Sequence, residues 1–314
     1  MIARTRLRSL AVVLLMTPAA APAATAQRPQ PHQQATLRKF DPPYELPHGV
    51  RIDADLVYAS PGGRDLHLDL FSPTDQHGPI PVVVFIQGSG YNGNNKVHLW
   101  REAAELARRG FATLAIEHRG VGRDTARWPA PLEDAEAALE WVGREASRRR
   151  LDLQRVAAVG ISSGAHVAAL LGSTRGGGEW SGRLRGVVVI NGPLDLVYFG
   201  ENRVWSDDYR VWLDSSVFAP LLGGTYRERP DSWRLASPLS YVHSAAVPAL
   251  IIHGTADGTL PIAQARRYYD IAHAAGVPVE FVPIEGGTHE MTNAARYHEV
   301  LELIASFLQR VLRD

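Results

Sequence analysis

The stretch that most restricts the fold is Gly160-Ile161-Ser162-Ser163-Gly164, because of what stands on either side of it. Arg155-Val-Ala-Ala-Val159 before it reads as a short apolar strand, and Ala165-His-Val-Ala-Ala-Leu-Leu171 after it as a helix. A chain that passes from strand to helix through a glycine-bracketed serine must turn sharply, with the serine strained at the tip and its hydroxyl exposed. Ser162 is therefore the candidate nucleophile. Ser163 follows at the helix N-terminus, where its backbone N–H meets the positive end of the helix dipole. Without those flanks the same five residues would be an ordinary Gly/Ser-rich loop.

The remaining pattern supplies a frame for such a turn. Asp55-Leu-Val-Tyr-Ala59 and Asp65-Leu-His-Leu-Asp-Leu-Phe71 flank Pro61-Gly62-Gly63. The strict alternation of the second segment predicts a half-solvated antiparallel hairpin at a sheet edge. Pro81-Val-Val-Val-Phe-Ile86 is a continuous apolar run, as a strand covered on both faces needs. From there strands and helices alternate: helix Val97 to Arg109, strand Phe111 to Ile116, helix Leu132 to Arg148, the turn at Ser162, and strand Val187 to Ile190. After an irregular insert come strand Pro248 to Ile252, helix Ile262 to Ala275, strand Val277 to Ile284 and a closing helix from Met291 to Leu312. This alternation predicts an α/β fold with a mostly parallel central sheet, an antiparallel N-terminal hairpin and helices on both faces.

A serine hydroxyl needs a base to take its proton and an acid to orient that base. Both should lie at the ends of later strands. The strand ending at Ile252 runs into His253-Gly-Thr-Ala-Asp257, and the one ending at Ile284 into Glu285-Gly-Gly-Thr-His289. Asp257 and His289 are the candidate acid and base, with Asp195 in reserve as the acid. His118 and His253 also follow strands and are read as structural, and His166 as a packing residue of the helix after Ser162. The loop after Ile86, Gln87-Gly88-Ser89-Gly90-Tyr91, offers the backbone amides of Ser89 and Gly90 to a developing oxyanion, with Ser163 as the third donor. It lacks both GxGxxG and the lysine of a phosphate-binding loop. His289-Glu290 lacks the HExxH spacing, so no metal site and no cofactor are expected.

Several blocks taken together resemble the α/β-hydrolase superfamily. Within it the chain is similar to bacterial esterases of the acetylxylan and feruloyl esterase type, related to the hormone-sensitive-lipase group. The blocks are Val82 to Tyr91, Leu132 to Trp141, the turn at Ser162, Leu221-Leu-Gly-Gly224, Ser237-Pro-Leu-Ser-Tyr-Val242 and His253-Gly-Thr-Ala-Asp257. They run in order between about Asp53 and Leu312. The resemblance implies a serine carboxylester hydrolase whose nucleophile, acid and base fall on Ser162, Asp257 and His289. One block departs from the family pattern. HGGG plus an aromatic is usual, whereas this chain has Gln87-Gly88-Ser89-Gly90-Tyr91, which alters a buried hydrogen bond and adds a side chain beside the expected oxyanion. A prolyl-oligopeptidase-like peptidase shares the triad order, and a catalytically silent binding protein shares the fold.

Residues 194–242 interrupt the core strands and are rich in aromatic side chains, including Tyr198, Trp205, Trp212, Phe218 and Trp233. Such an insert is expected to cap the site. Its rings either meet substrate by stacking on sugar faces or holding an acyl chain, or form a small core of the cap itself, and Tyr91, Tyr198, Trp205 and Trp212 are the candidate substrate contacts. The expected substrate is a small-molecule or polysaccharide-linked ester.

At the N-terminus, Arg4, Arg6 and Arg8 precede an apolar run from Leu10 to Met16 and an Ala/Pro-rich stretch ending Ala24-Thr25-Ala26. Residues 1–26 have the build of a secretory signal peptide, which implies a secreted or periplasmic protein. Residues 27–50 read as a flexible Pro/Gln-rich leader, and residues 51–314 as one catalytic domain. Removing the signal takes three Arg and no acid from a chain of net charge zero, leaving about −3. That balance argues against nucleic acid as a partner. No later stretch is apolar enough to span a membrane, and the absence of Cys excludes disulfides and a thiol nucleophile.

Overall fold

The computed structural model describes residues 45–92, 96–121, 126–173, 183–201, 217–291 and 296–313. The signal-peptide segment and most of the leader lie outside them, as do Trp205 and Trp212. Eight strands form one sheet: β1 (Val50–Ala59), β2 (Leu66–Pro73), β3 (Ile80–Ile86), β4 (Ala112–Ile116), β5 (Leu151–Ile161), β6 (Leu184–Ile190), β7 (Ala249–Gly254) and β8 (Val279–Ile284). Their spatial order is β1-β2-β4-β3-β5-β6-β7-β8. β2 is antiparallel to both its neighbours, and all the other pairings are parallel. The main helices are α1 (Trp100–Arg108), α2 (Ala130–Arg149), α3 (Ser163–Ser173), α4 (Leu196–Glu201), α5 (Ala219–Leu222), α6 (Pro230–Ala236), α7 (Ile262–Ala274) and α8 (Tyr297–Val311).

Apolar alternation along the strands divides the core in two. Val83 and Phe85 of β3, with Ala157 and Val159 of β5, pack with Leu106 of α1 and Leu301, Ile304 and Leu308 of α8. Val82, Val84, Val156 and Ala158 face the other way, against Leu139 and Val142 of α2 and Val167 and Leu171 of α3. Each fully buried Val, Leu or Ile contributes roughly 1.5–3 kcal/mol, so both faces of these central strands hold the sheet in register. The ends of β3, β5, β6, β7 and β8 thereby open onto one rim.

Two expectations are corrected. The hairpin is present, but β2 is not half-solvated, since seven of its eight residues are buried. Asp69 is fully enclosed and accepts Lys96 Nζ at 2.7 Å and Trp100 Nε1 at 2.7 Å. Lys96 also reaches Asp55 at 2.7 Å. A polar residue on the outward face of a strand thus marks a buried ion pair here, and removing either partner of such a pair costs about 3–5 kcal/mol. The second correction concerns β5, which extends back to Leu151, with Leu151 paired to Ile80. Asp152 and Gln154 hid the residues before Arg155 from a reading based on apolar runs.

Candidate active site

Ser162 stands between β5 and α3 with φ 54°, a left-handed conformation that costs a non-glycine residue about 1–3 kcal/mol. The surrounding packing enforces it. A Cβ on Gly160 would lie 2.2 Å from the Gly164 carbonyl oxygen, so only glycine lets the helix start this close to the strand. The Ser162 amide donates to the Ile190 carbonyl at 2.9 Å, which fixes the turn to the end of β6. The loop after β3 closes the other side. At Gly88 a Cβ would come within 2.5 Å of both the Ile161 carbonyl oxygen and the Ser162 Cβ, so its bare backbone lies directly against the serine.

The three distant side chains converge. His289 Nε2 lies 2.9 Å from Ser162 Oγ, and His289 Nδ1 lies 2.9 Å from Asp257 Oδ2. With Nδ1–H donating to the carboxylate, Nε2 is left as the acceptor for the serine proton, a tautomer assigned from the hydrogen-bond network. Asp257 is itself held by its other oxygen, which accepts the amides of Thr259 and Leu260 at 2.8 Å each. Burial works to raise its carboxyl, but hydrogen bonds from His253 and His289 outweigh it, holding Asp257 well below the usual carboxylate range. It therefore stays ionised.

The loops bearing acid and base are laced together by backbone. Thr255 donates to Ile284 at 3.0 Å and Ala256 to Gly287 at 2.9 Å. Asp195 takes no part in this. It is buried, accepts the Tyr198 amide at 3.1 Å and is paired with Arg267. Burial is the largest influence on its carboxyl and raises it against both partners. It anchors the start of α4 instead of serving as the reserve acid.

Residues 68–271 match the family model described as BD-FAE. The chain belongs to the BD-FAE family. It is 27% identical over 248 residues to Esterase LipC of Mycobacterium tuberculosis (strain ATCC 25618 / H37Rv), covering 75% of this chain and 60% of that one. The BD-FAE chain thus spans about three fifths of that curated relative. Among solved structures it is similar to a truncated carbohydrate esterase from gut microbiota, with 26% identity, a TM-score of 0.70 and coverage of 83% of this chain and 96% of that one. It is also similar to the butyrate-bound thermophilic esterase of Thermogutta terrifontis, with 26% identity, a TM-score of 0.69 and coverage of 87% and 97%. The BD-FAE fold is that of the α/β-hydrolases, as the sequence blocks imply.

The departure from HGGG has a local account in this BD-FAE chain. Gln87 Nε2 donates to His98 Nδ1 at 2.7 Å. The Ser89 amide donates to Ser163 Oγ at 2.9 Å, so it has a partner within the protein and is not turned towards a reacting oxygen. Gly90 has φ 58° and Tyr91 φ 60°, which swings the chain away after the loop. That swing carries Tyr91 into the cap. Only 1% exposed, its ring meets His166 edge-on at 5.6 Å and Phe218 at 6.3 Å, which corrects its reading as a substrate-contacting surface. Tyr198 likewise packs at the edge of the cap core, against Phe199 at 5.8 Å.

Two residues hold the site together without having been assigned to it from sequence. Asn191, buried at the end of β6, donates to the carbonyls of Thr288 at 3.2 Å and His289 at 2.8 Å and accepts the Gly254 amide at 3.0 Å. A single carboxamide thus ties the base loop to the end of β7. Its signal was an asparagine, one of the few non-glycine residues that tolerate positive φ, placed directly after a core strand, and here φ is 47°. His253, read as structural, donates from Nε2 to the Leu260 carbonyl at 2.8 Å and lies 3.3 Å from Asp257 Oδ2. His118 lies 2.9 Å from the Arg119 carbonyl and 3.4 Å from that of Gln87. Among the described residues, no three His, Asp or Glu side chains are grouped to hold a metal ion, and no helix is long and apolar enough to cross a membrane.

Proposed function

We propose that the chain is a serine carboxylester hydrolase. The observation that carries this reading is the unbroken relay from Asp257 through His289 to Ser162, with both contacts at 2.9 Å. Ser162 Oγ attacks the ester carbonyl carbon as His289 Nε2 takes its proton, and ionised Asp257 stabilises the imidazolium. The carbonyl oxygen becomes an oxyanion facing the Ser163 amide at the start of α3 and the glycine loop at Gly90. His289 then protonates the departing alkoxide, leaving an acyl-enzyme. Water repeats the sequence and releases the carboxylic acid.

Short acyl groups, including those on carbohydrates, are the proposed substrates. The carbohydrate esterase and the butyrate-bound esterase among the structural relatives support that class. The basic and apolar build of residues 1–26 supports export to the periplasm or beyond.

The test combines p-nitrophenyl acetate and butyrate, aminoacyl-proline amides and a fluorophosphonate probe. Ester turnover, silent amides and labelling of Ser162 are expected. Ser162→Ala should abolish labelling and lower kcat roughly 10⁵- to 10⁶-fold. Retention of more than about a tenth of the activity would remove Ser162 as nucleophile, and preferential amide turnover would replace the esterase by a peptidase.

A further inference from the structure

We propose that the hydroxyl of Ser163 is a positioning group that ties the glycine loop after β3 to the nucleophile turn and so sets the oxyanion site. The inference rests on the hydrolase reading above and goes beyond the part the Ser163 backbone plays in it. Ser163 Oγ accepts the amides of Ser89 at 2.9 Å and Tyr91 at 3.4 Å, two residues some seventy positions away in sequence. Ser163 is only 2% exposed, so water does not compete for these contacts. One residue thus offers its backbone N–H to the reacting oxygen and its side chain to the opposing loop.

The arrangement solves a mechanical problem in this chain. The loop has no side chain at Gly88 to wedge it in place, and the bare Gly88 backbone touches Ser162. The Gly90 amide lies between the two residues whose amides Ser163 Oγ accepts. Fixing Ser89 and Tyr91 therefore fixes the peptide at Gly90 relative to the Ser163 amide, which is the separation an oxyanion has to bridge. The Ser89 amide then serves as an anchor and not as an oxyanion donor. An alanine at position 163 preserves the helix and the backbone N–H but leaves the Ser89 and Tyr91 amides without this acceptor.

The test uses the full chain and Ser163→Ala, with Ser163→Cys, a similar-sized side chain with a weak acceptor, as a second variant. Amide hydrogen exchange at Ser89 and Tyr91 reads the tie directly and needs no activity. Both variants should speed exchange at these two amides by roughly tenfold or more, while amides of β5 stay protected. With p-nitrophenyl acetate, kcat should fall roughly tenfold with KM little changed, and a trifluoromethyl ketone that forms a tetrahedral adduct should lose affinity in the same proportion. Ser163→Thr, which keeps a hydroxyl, should restore both readouts. Unchanged exchange in Ser163→Ala overturns the tie. A faster Ser163→Ala overturns it too, since the hydroxyl would then be competing with the oxyanion. A wild-type chain silent towards esters while exchange responds as expected would sink the hydrolase reading and leave the tie standing.

Discussion

At the rim of the sheet, position is set by polar groups. Asp257 is fixed by two backbone amides and two imidazoles, His289 by Asp257 and its own loop, and that loop by Asn191. In the cap the means are apolar. Trp233 is fully buried, meets Phe218 at 5.4 Å and Tyr226 at 5.9 Å, and gives its indole N–H to the Gly224 carbonyl at 3.1 Å. Leu196, Phe199, Leu221 and Ala236 complete the same cluster, which extends to Tyr91 of the glycine loop and Leu260 of the acid loop. Hydrogen bonds fix direction to within tenths of an ångström, as proton transfer between named atoms requires. An apolar cluster fixes volume and tolerates repacking, so it specifies position less tightly than the hydrogen bonds of the rim do.

Four substitutions put this contrast to the test. The largest effect is expected at the rim. Asp257→Asn keeps the shape but loses the charge and the tautomer it enforces, so kcat should fall about 10⁴-fold, with a lower melting temperature because the fold holds this carboxylate ionised, in a chain that still folds. Steady-state kinetics beside thermal melting checks this, and a loss of less than tenfold would show that another group orients His289.

Trp233→Ala should do the reverse. It should cost roughly 3–5 kcal/mol in urea unfolding, raise KM for bulky esters and leave kcat for p-nitrophenyl acetate within about tenfold. A collapse of acetate turnover in folded protein would mean that the cap, too, places reacting atoms.

His166 joins the two regions. It lies on α3, is fully buried between Tyr91 and Trp128, and donates from Nε2 to the Ala236 carbonyl at 2.6 Å. Burial pushes its pKa down to about 4, against the bond to Ala236. The unfolded chain therefore binds a proton that the folded chain refuses. Stability is fully present above the ordinary histidine range and drains away as pH falls from about 6.5 to about 4, by on the order of 3 kcal/mol. Urea midpoints at pH 7 and 4.5 should show a smaller drop in His166→Gln than in wild type, and parallel drops would remove His166 as the acid-sensitive joint.

The smallest effect is expected at Asn191. Asn191→Ala frees the carbonyls of Thr288 and His289 and should lower kcat about 10- to 100-fold with little change in KM. Activity within twofold of wild type would show that the paired ends of β7 and β8 hold the base loop without it.

What could be read in the linear chain was whatever depends on near neighbours. The run Val82-Val-Val-Phe could only be a strand buried on both faces, the flanks of Ser162 could only turn sharply, and Asp257 and His289 each followed a core strand directly. Chain direction and parallel pairing then send all three to one rim, since parallel strands end on the same side. Contacts between segments far apart in sequence were decided by packing in three dimensions. Asp69 alternated like a solvent-facing residue and became the buried partner of Lys96, because α1 covers that face of β2. Tyr91 had the composition of a binding surface and became part of the cap core, because two successive positive φ angles turn it there. Asn191 and the Ser163 hydroxyl carry no periodicity or spacing that reveals their partners, which lie about seventy to one hundred residues away. A polar side chain satisfies its hydrogen bonds with whatever the fold brings within reach, and only the assembled structure determines which groups those are.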